Sequence, residues 1–185
     1  MLLEHGKTNV CIFNMQNDIM PHFHNHKQLV LNCQWLADVC QSLKVRCFIV
    51  EHREFGERPQ ALTTVAGEAT RLLTDYFDFL KEPHIVEHLK RNPCEQYVLA
   101  GAETHVTLFQ SAIGLKKKNK AVFLLADSCS ARSEIDHTYG LERARDNGIQ
   151  LITREMFFFE MIRSPQYPGY MDLAMKFIPS ARNMA

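Results

Sequence analysis

The chain has 185 residues, 46% hydrophobic and 23% charged, with 21 Lys plus Arg balanced by 21 Asp plus Glu. This is the size of one domain with a substantial core, expected over 1–185 with a frayed tail from about residue 179. Zero net charge removes the broad positive field that nucleic-acid partners and a nuclease require, and no apolar run approaches the roughly 18 residues that span a membrane.

The opening residues Met1 to Lys7 match neither a signal nor a transit peptide. Six cysteines without a Cys-x-x-Cys pair point to free thiols and a cytoplasmic setting. Val10 to Met15 reads as a first buried strand, and the stripe Leu29, Val30, Cys33, Leu36, Ala37, Cys40 and Leu43 as a helix. Val45 to Val50 is a second strand, and a short strand before Pro83 is ambiguous. Tyr97 to Ala100, Ala121 to Ala126 and Ile149 to Thr153 complete the strands. All are continuous apolar runs, the pattern of strands covered on both faces.

Between them, Thr104 to Leu115 is helical, and the Lys116 to Lys120 run is a solvated helix end. Ser133-Glu134-Ile135-Asp136 resembles a capping box for a helix ending at Asn147-Gly148. Thr153 caps the next helix, which Pro165 and Pro168 end. Its Met156 to Met161 cluster, with Phe157, Phe158 and Phe159, is either core or a subunit contact. Strand–helix alternation predicts an α/β fold with a parallel sheet and helices on both faces. Ligands then collect beyond the carboxyl ends of the strands, near Asn14 to Asp18, Glu51 to Gly56, Gly101 to Thr107 and Asp127 to Ser133.

Two of those segments carry a resemblance. Val10-Cys11-Ile12-Phe13-Asn14-Met15-Gln16-Asn17-Asp18 is similar to a strand ending in Asp-Met-Gln-Asn-Asp, and Gly101-Ala102-Glu103-Thr104-His105-Val106-Thr107 to Gly-x-Glu-Thr-His-Val-Cys. Ala126-Asp127-Ser128-Cys129-Ser130-Ala131-Arg132-Ser133 extends the match, as do Leu141-Glu142-Arg143 and Thr153-Arg154-Glu155. Together these resemble the isochorismatase-like cysteine hydrolases. The resemblance implies a Rossmann-like three-layer α/β/α sandwich, strand order 3-2-1-4-5-6, no cofactor, and a dimer or larger homo-oligomer.

It also implies an Asp, Lys and Cys triad. At those positions stand Asn14, Thr107 and, with Phe77 matched to the family's Phe, Thr74; Asp75 is the next choice for the Lys position. Arg71 and Lys81 are the nearest cations. The resemblance places a cis peptide at Ala102-Glu103 and assigns Ala102, Glu103 and Val106 to the oxyanion side of a pocket. Asp18, Glu51 and His105 are binding candidates, Asp18 chiefly through local hydrogen bonds.

A Thr needs a base before it acts as a nucleophile, and an amide is not one. Asn14 therefore has two readings, a ligand-binding remnant of the acid or a strand-end residue satisfying backbone. His22, His24 and His26 are weak metal candidates, converging only if their segment is extended. Cys129 lacks a base partner. The favoured function is a non-hydrolytic family member that binds a small molecule or partner. The alternative is a divergent hydrolase of amides, esters or vinyl ethers, acting through Thr107 or a metal-activated water. Specificity is expected to reside in loops such as 55–70.

Overall fold

The computed structural model describes residues 1–59, 62 and 69–178. The tail from 179 and much of the 55–70 segment lie outside the described residues. Six strands form one parallel sheet in the order β3-β2-β1-β4-β5-β6. They are β1 (Thr8–Phe13), β2 (Arg46–His52), β3 (Thr70–Thr74), β4 (Gln96–Ala102), β5 (Ala121–Ser130) and β6 (Gln150–Ile152). The ambiguous stretch before Pro83 is thus an edge strand, and β1 stops two residues earlier than its apolar run suggested.

The helices are α1 (His26–Leu43), α2 (Pro83–Arg91), α3 (Phe109–Lys117), α4 (Glu134–Asp146), α5 (Arg154–Ile162) and α6 (Tyr170–Phe177). Alternate strand residues feed two cores. Val10, Ile12, Ile49, Val98, Ala100 and Phe123 pack with α1, α5 and α6. Cys11, Phe13, Phe48, Val50, Leu99 and Leu124 pack with α2, α3 and α4. This two-sided burial is why the strands read as unbroken apolar runs, and each fully buried Phe contributes about 2 kcal/mol.

Both cap signals hold. Ser133 Oγ accepts from Asp136 N–H at 3.2 Å, and Thr153 Oγ1 from Met156 N–H at 3.3 Å. Ser133→Ala should therefore lower stability by about 1 kcal/mol in urea denaturation, through the loss of one capping bond. The aromatic cluster is core only in part. Phe157, Phe158 and Met161 are buried, whereas Met156 and Phe159 are exposed. Among the described residues, no helix is long and apolar enough to cross a membrane.

Candidate functional site

The reversal of strand order lies between β1 and β4, and the candidate site forms at their carboxyl ends. β1 ends because Asn14 takes a left-handed backbone (φ 50°), a conformation Asn tolerates better than most residues. Its N–H still donates to Val50 O at 2.9 Å, so the chain leaves the sheet while anchored to β2. Across from it, Gly101 has φ +104° and the Ala102–Glu103 peptide is cis. The chain then enters a π-helical turn, Thr104–Leu108, in which Leu108 N–H donates to Glu103 O at 3.1 Å, before continuing as α3.

That turn brings Thr107 to Asn14. Asn14 Nδ2 donates to Thr107 Oγ1 at 3.1 Å, and the two residues are only 6% and 3% exposed. Asn14 Oδ1 is buried and has no hydrogen-bond partner among the described residues. The contact joins a hydroxyl to an amide. Whichever way the amide is turned, neither group is a base near neutral pH.

Thr74 closes β3 and is buried, but its hydroxyl is used locally. Oγ1 donates to Tyr76 O at 3.1 Å and accepts from Tyr76 N–H at 2.9 Å. Among the described residues it makes no hydrogen bond with Asn14 or Thr107. Asp75 pairs with Arg53 at 3.0 Å, and its N–H donates to Glu82 at 2.9 Å. Lys81 is exposed on a short 3-10 helix. Arg71 turns to Glu51 instead of the Asn14–Thr107 pair.

Glu51 carries its carboxylate against two arginines, and its buried Oε1 makes no hydrogen bond among the described residues. It is 1% exposed and held by Arg71 and by Arg58, the latter at 3.0 Å. Asp18 departs from expectation. It is exposed, stands against Gly56, and makes no hydrogen bond among the described residues. The local hydrogen bonding expected of it comes from Gln16. The Gln16 amide donates to His52 O at 2.7 Å and Gly56 O at 2.9 Å, and accepts from His52 N–H at 2.9 Å. Sequence reading missed Gln16, although it is the middle residue of the β1-end motif.

On the outer side of the π turn, Glu103 is buried and bound to Arg132 at 2.8 Å. His105 lies 3.9 Å from Glu103 and packs against Gly140 of α4, so it faces that helix. Val106 N–H folds back on Glu103 O at 3.3 Å. His22, His24 and His26 do not share an extended segment: a 3-10 helix holds the first and α1 begins at the last. Among the described residues, no group of three or more His, Cys, Asp or Glu could hold a metal. Burial pushes the Cys129 thiol well above its usual range, against a nucleophilic role.

A polar cluster not anticipated from sequence joins the π turn to α4. Thr104 Oγ1 donates to Ser130 O at 2.9 Å and lies 2.9 Å from His137 Nδ1. The hydroxyl proton is thereby committed, so His137 Nδ1–H is the donor toward Thr104. His137 and His24 line a cavity of about 190 Å³ with Gln28, Asn32 and Asp127. Burial, reinforced by His24 and opposed by Glu134, lowers the His137 pKa from its usual 6.5. The unfolded chain therefore binds more protons than the folded one just below pH 6.5. The stabilisation is complete above that pH and is lost as pH falls through the folded value. Melting temperature should drop as pH falls below the usual histidine value of 6.5, and His137→Gln should flatten that drop. An unchanged pH slope in the variant would exclude His137 as its source.

Comparison with known proteins agrees with this architecture. The isochorismatase domain model matches residues 8–156. Isochorismatase family protein 2B of Dictyostelium discoideum is 24% identical over 178 residues, covering 90% of this chain and 82% of that protein. Isochorismatase domain-containing protein 2 of Xenopus laevis is 26% identical over 139 residues, covering 75% and 67%. Among solved structures, the MAR1 ribonuclease of Caenorhabditis elegans superposes with a TM-score of 0.88 at 18% identity, covering 97% and 93%. The YcaC gene product of Escherichia coli, described as an octameric hydrolase of unknown specificity, does so at 0.89 and 19%, covering 99% and 94%. With the strand order, the motifs and the domain match in agreement, the chain belongs to the isochorismatase family.

Proposed function

We propose that this chain is a non-hydrolytic member of the family, its Asp, Lys and Cys replaced by Asn14, Thr74 and Thr107, and that it binds a small molecule at the retained site. The observation that carries this reading is the buried 3.1 Å contact between Asn14 Nδ2 and Thr107 Oγ1. A hydroxyl whose nearest side-chain partner is an amide has no route for its proton. Thr74, with its hydroxyl spent on Tyr76, supplies no charge in place of the Lys. One substitution alone would be compatible with altered chemistry, whereas three together leave no proton path.

Panels of amides, esters and vinyl ethers should show no turnover above buffer, with or without added divalent metal. Robust hydrolysis abolished by Thr107→Ala would overturn the reading. The zero net charge supports a ligand other than nucleic acid, and the six free thiols support a cytoplasmic setting.

The same reading includes self-association. Leu2, Met156 and Phe159 line one surface hollow at α5 and are 53%, 44% and 41% exposed, an apolar patch of the kind that marks an interface. The octameric E. coli neighbour supports the same conclusion. Light scattering after gel filtration should give a mass above the 21.4 kDa of one chain. Phe159→Glu should shift that mass toward the monomer, and a wild-type monomer would remove the proposal.

A further inference from the structure

We infer that the hollow between the opening turns of α1, the end of β5 and α4 is a second ligand site, which takes a small oxyanion of the sulfate or phosphate type. This is the cavity of about 190 Å³ lined by His24, Asn25, Gln28, Asn32, Asp127 and His137, and neither Asn14 nor Thr107 lines it. Its polar groups divide into those already spent and those free for a ligand. Asp127 is spent on Arg154, whose N–H and Nε donate to its two carboxylate oxygens at 3.1 Å each. Asn32 donates to Asp127 O and accepts from Gln28 Nε2. The Asn25 side chain does not cap α1, and the exposed His24 ring makes no hydrogen bond among the described residues. His137 commits Nδ1–H to Thr104, which leaves its Nε2 unpartnered among the described residues.

The charges that face His137 decide what can fill this hollow. His24 disfavours its protonation and Glu134, on its own helix, favours it. From β5, Asp127 is matched by Arg154 of α5, and the neighbouring hollow behind His137 carries one charge of each sign, Glu142 and Arg145. A neutral His137 with Nδ1 protonated offers Nε2 only as an acceptor, whereas a proton added there makes it a donor. Two imidazoles at one cavity repel when both are charged, and a doubly charged oxyanion between them offsets that repulsion. The free Asn25 amide and the first turn of α1, which has no acidic residue, add donors on the same wall. A metal ion would find too few ligands, because no group of three or more His, Cys, Asp or Glu could hold one among the described residues.

The test titrates the full chain with sodium sulfate against sodium chloride of equal ionic strength, following the imidazole C–H signals by NMR. Sulfate keeps both charges throughout, so a pH effect on binding belongs to the protein. Sulfate should bind about tenfold more tightly at about pH 5.5 than at about pH 8, as expected when imidazole protonation accompanies binding. It should also raise the pKa values of His24 and His137, which chloride should leave in place. His24→Gln should weaken sulfate binding about fivefold at the lower pH, and His137→Gln should remove most of the pH dependence. Equal sulfate affinity at both pH values, equal imidazole shifts in the two salts, or undiminished affinity in the His24 variant overturns the inference. The salt comparison uses wild-type protein, so it decides even if His137→Gln disturbs the contact with Thr104.

Discussion

Gly101→Ala should destabilise the protein by about 4 kcal/mol or more, enough to consume much of a typical domain's stability. An added Cβ would lie 2.2 Å from Phe13 O and 2.7 Å from Phe13 N, both backbone atoms of the neighbouring strand. Neither can turn aside as a flexible side chain would. Gly101 also has φ +104°, which L-residues rarely adopt. The substitution would therefore force β1 and β4 apart where Asn14 and Thr107 meet. Gly6 is the control, because its φ is +85° but nothing lies within 4 Å of an added Cβ. Gly6→Ala should cost only about 1–2 kcal/mol, the backbone strain alone. Denaturant melts of both variants measure the difference; near-equal losses would show that the close approach to Phe13 is relieved by small shifts.

Restoring the family's reactive residues should restore chemistry only when they are restored together. Thr107→Cys alone should leave ester hydrolysis within about tenfold of the buffer background, because Asn14 still cannot accept a proton. Asn14→Asp, Thr74→Lys and Thr107→Cys combined should raise it by about a thousandfold, equivalent to roughly 4 kcal/mol of transition-state stabilisation. The thiol would sit in the first helical turn after β4, where the helix dipole favours a thiolate, with a carboxylate on the residue that already touches position 107. A parallel variant carrying Asp75→Lys in place of Thr74→Lys tests the register of that segment. If neither folded triple variant exceeds the Cys single variant, the residue-by-residue matching is wrong.

The elements with the strongest local signals were legible in the sequence. The five strands other than β3 were visible because each strand face packs on its own helical layer, which leaves no polar alternation. The β3 edge was ambiguous because Thr70-Arg71-Leu72-Leu73-Thr74 has only two apolar residues, and Arg71 on this strand reaches Glu51 instead of entering a core. Ser133 and Thr153 were legible because capping depends on residues three positions apart.

The site was legible only through whole motifs. Asn14 and Thr107 are 93 residues apart in the chain, and no periodicity links them. The π-helical turn that carries Thr107 has a spacing indistinguishable in sequence from an ordinary helix start. A carboxylate at a strand end has the same appearance in sequence whether it faces a ligand or, like Glu51, two arginines. His137 carried no motif at all, and its bond to Thr104 arises from the docking of α4 on the π turn.

The meeting of two uncharged side chains at Asn14 and Thr107 has a consequence for how the site responds to its surroundings. Neither residue gains or loses a proton across the physiological range, so a ligand held by this pair alone would release none and take up none. Binding isotherms measured in buffers of different ionisation enthalpy should therefore superimpose, and a thiol oxidant has no sulfur to attack at position 107. The pair itself is therefore indifferent to shifts of acidity and redox state that would silence a thiolate.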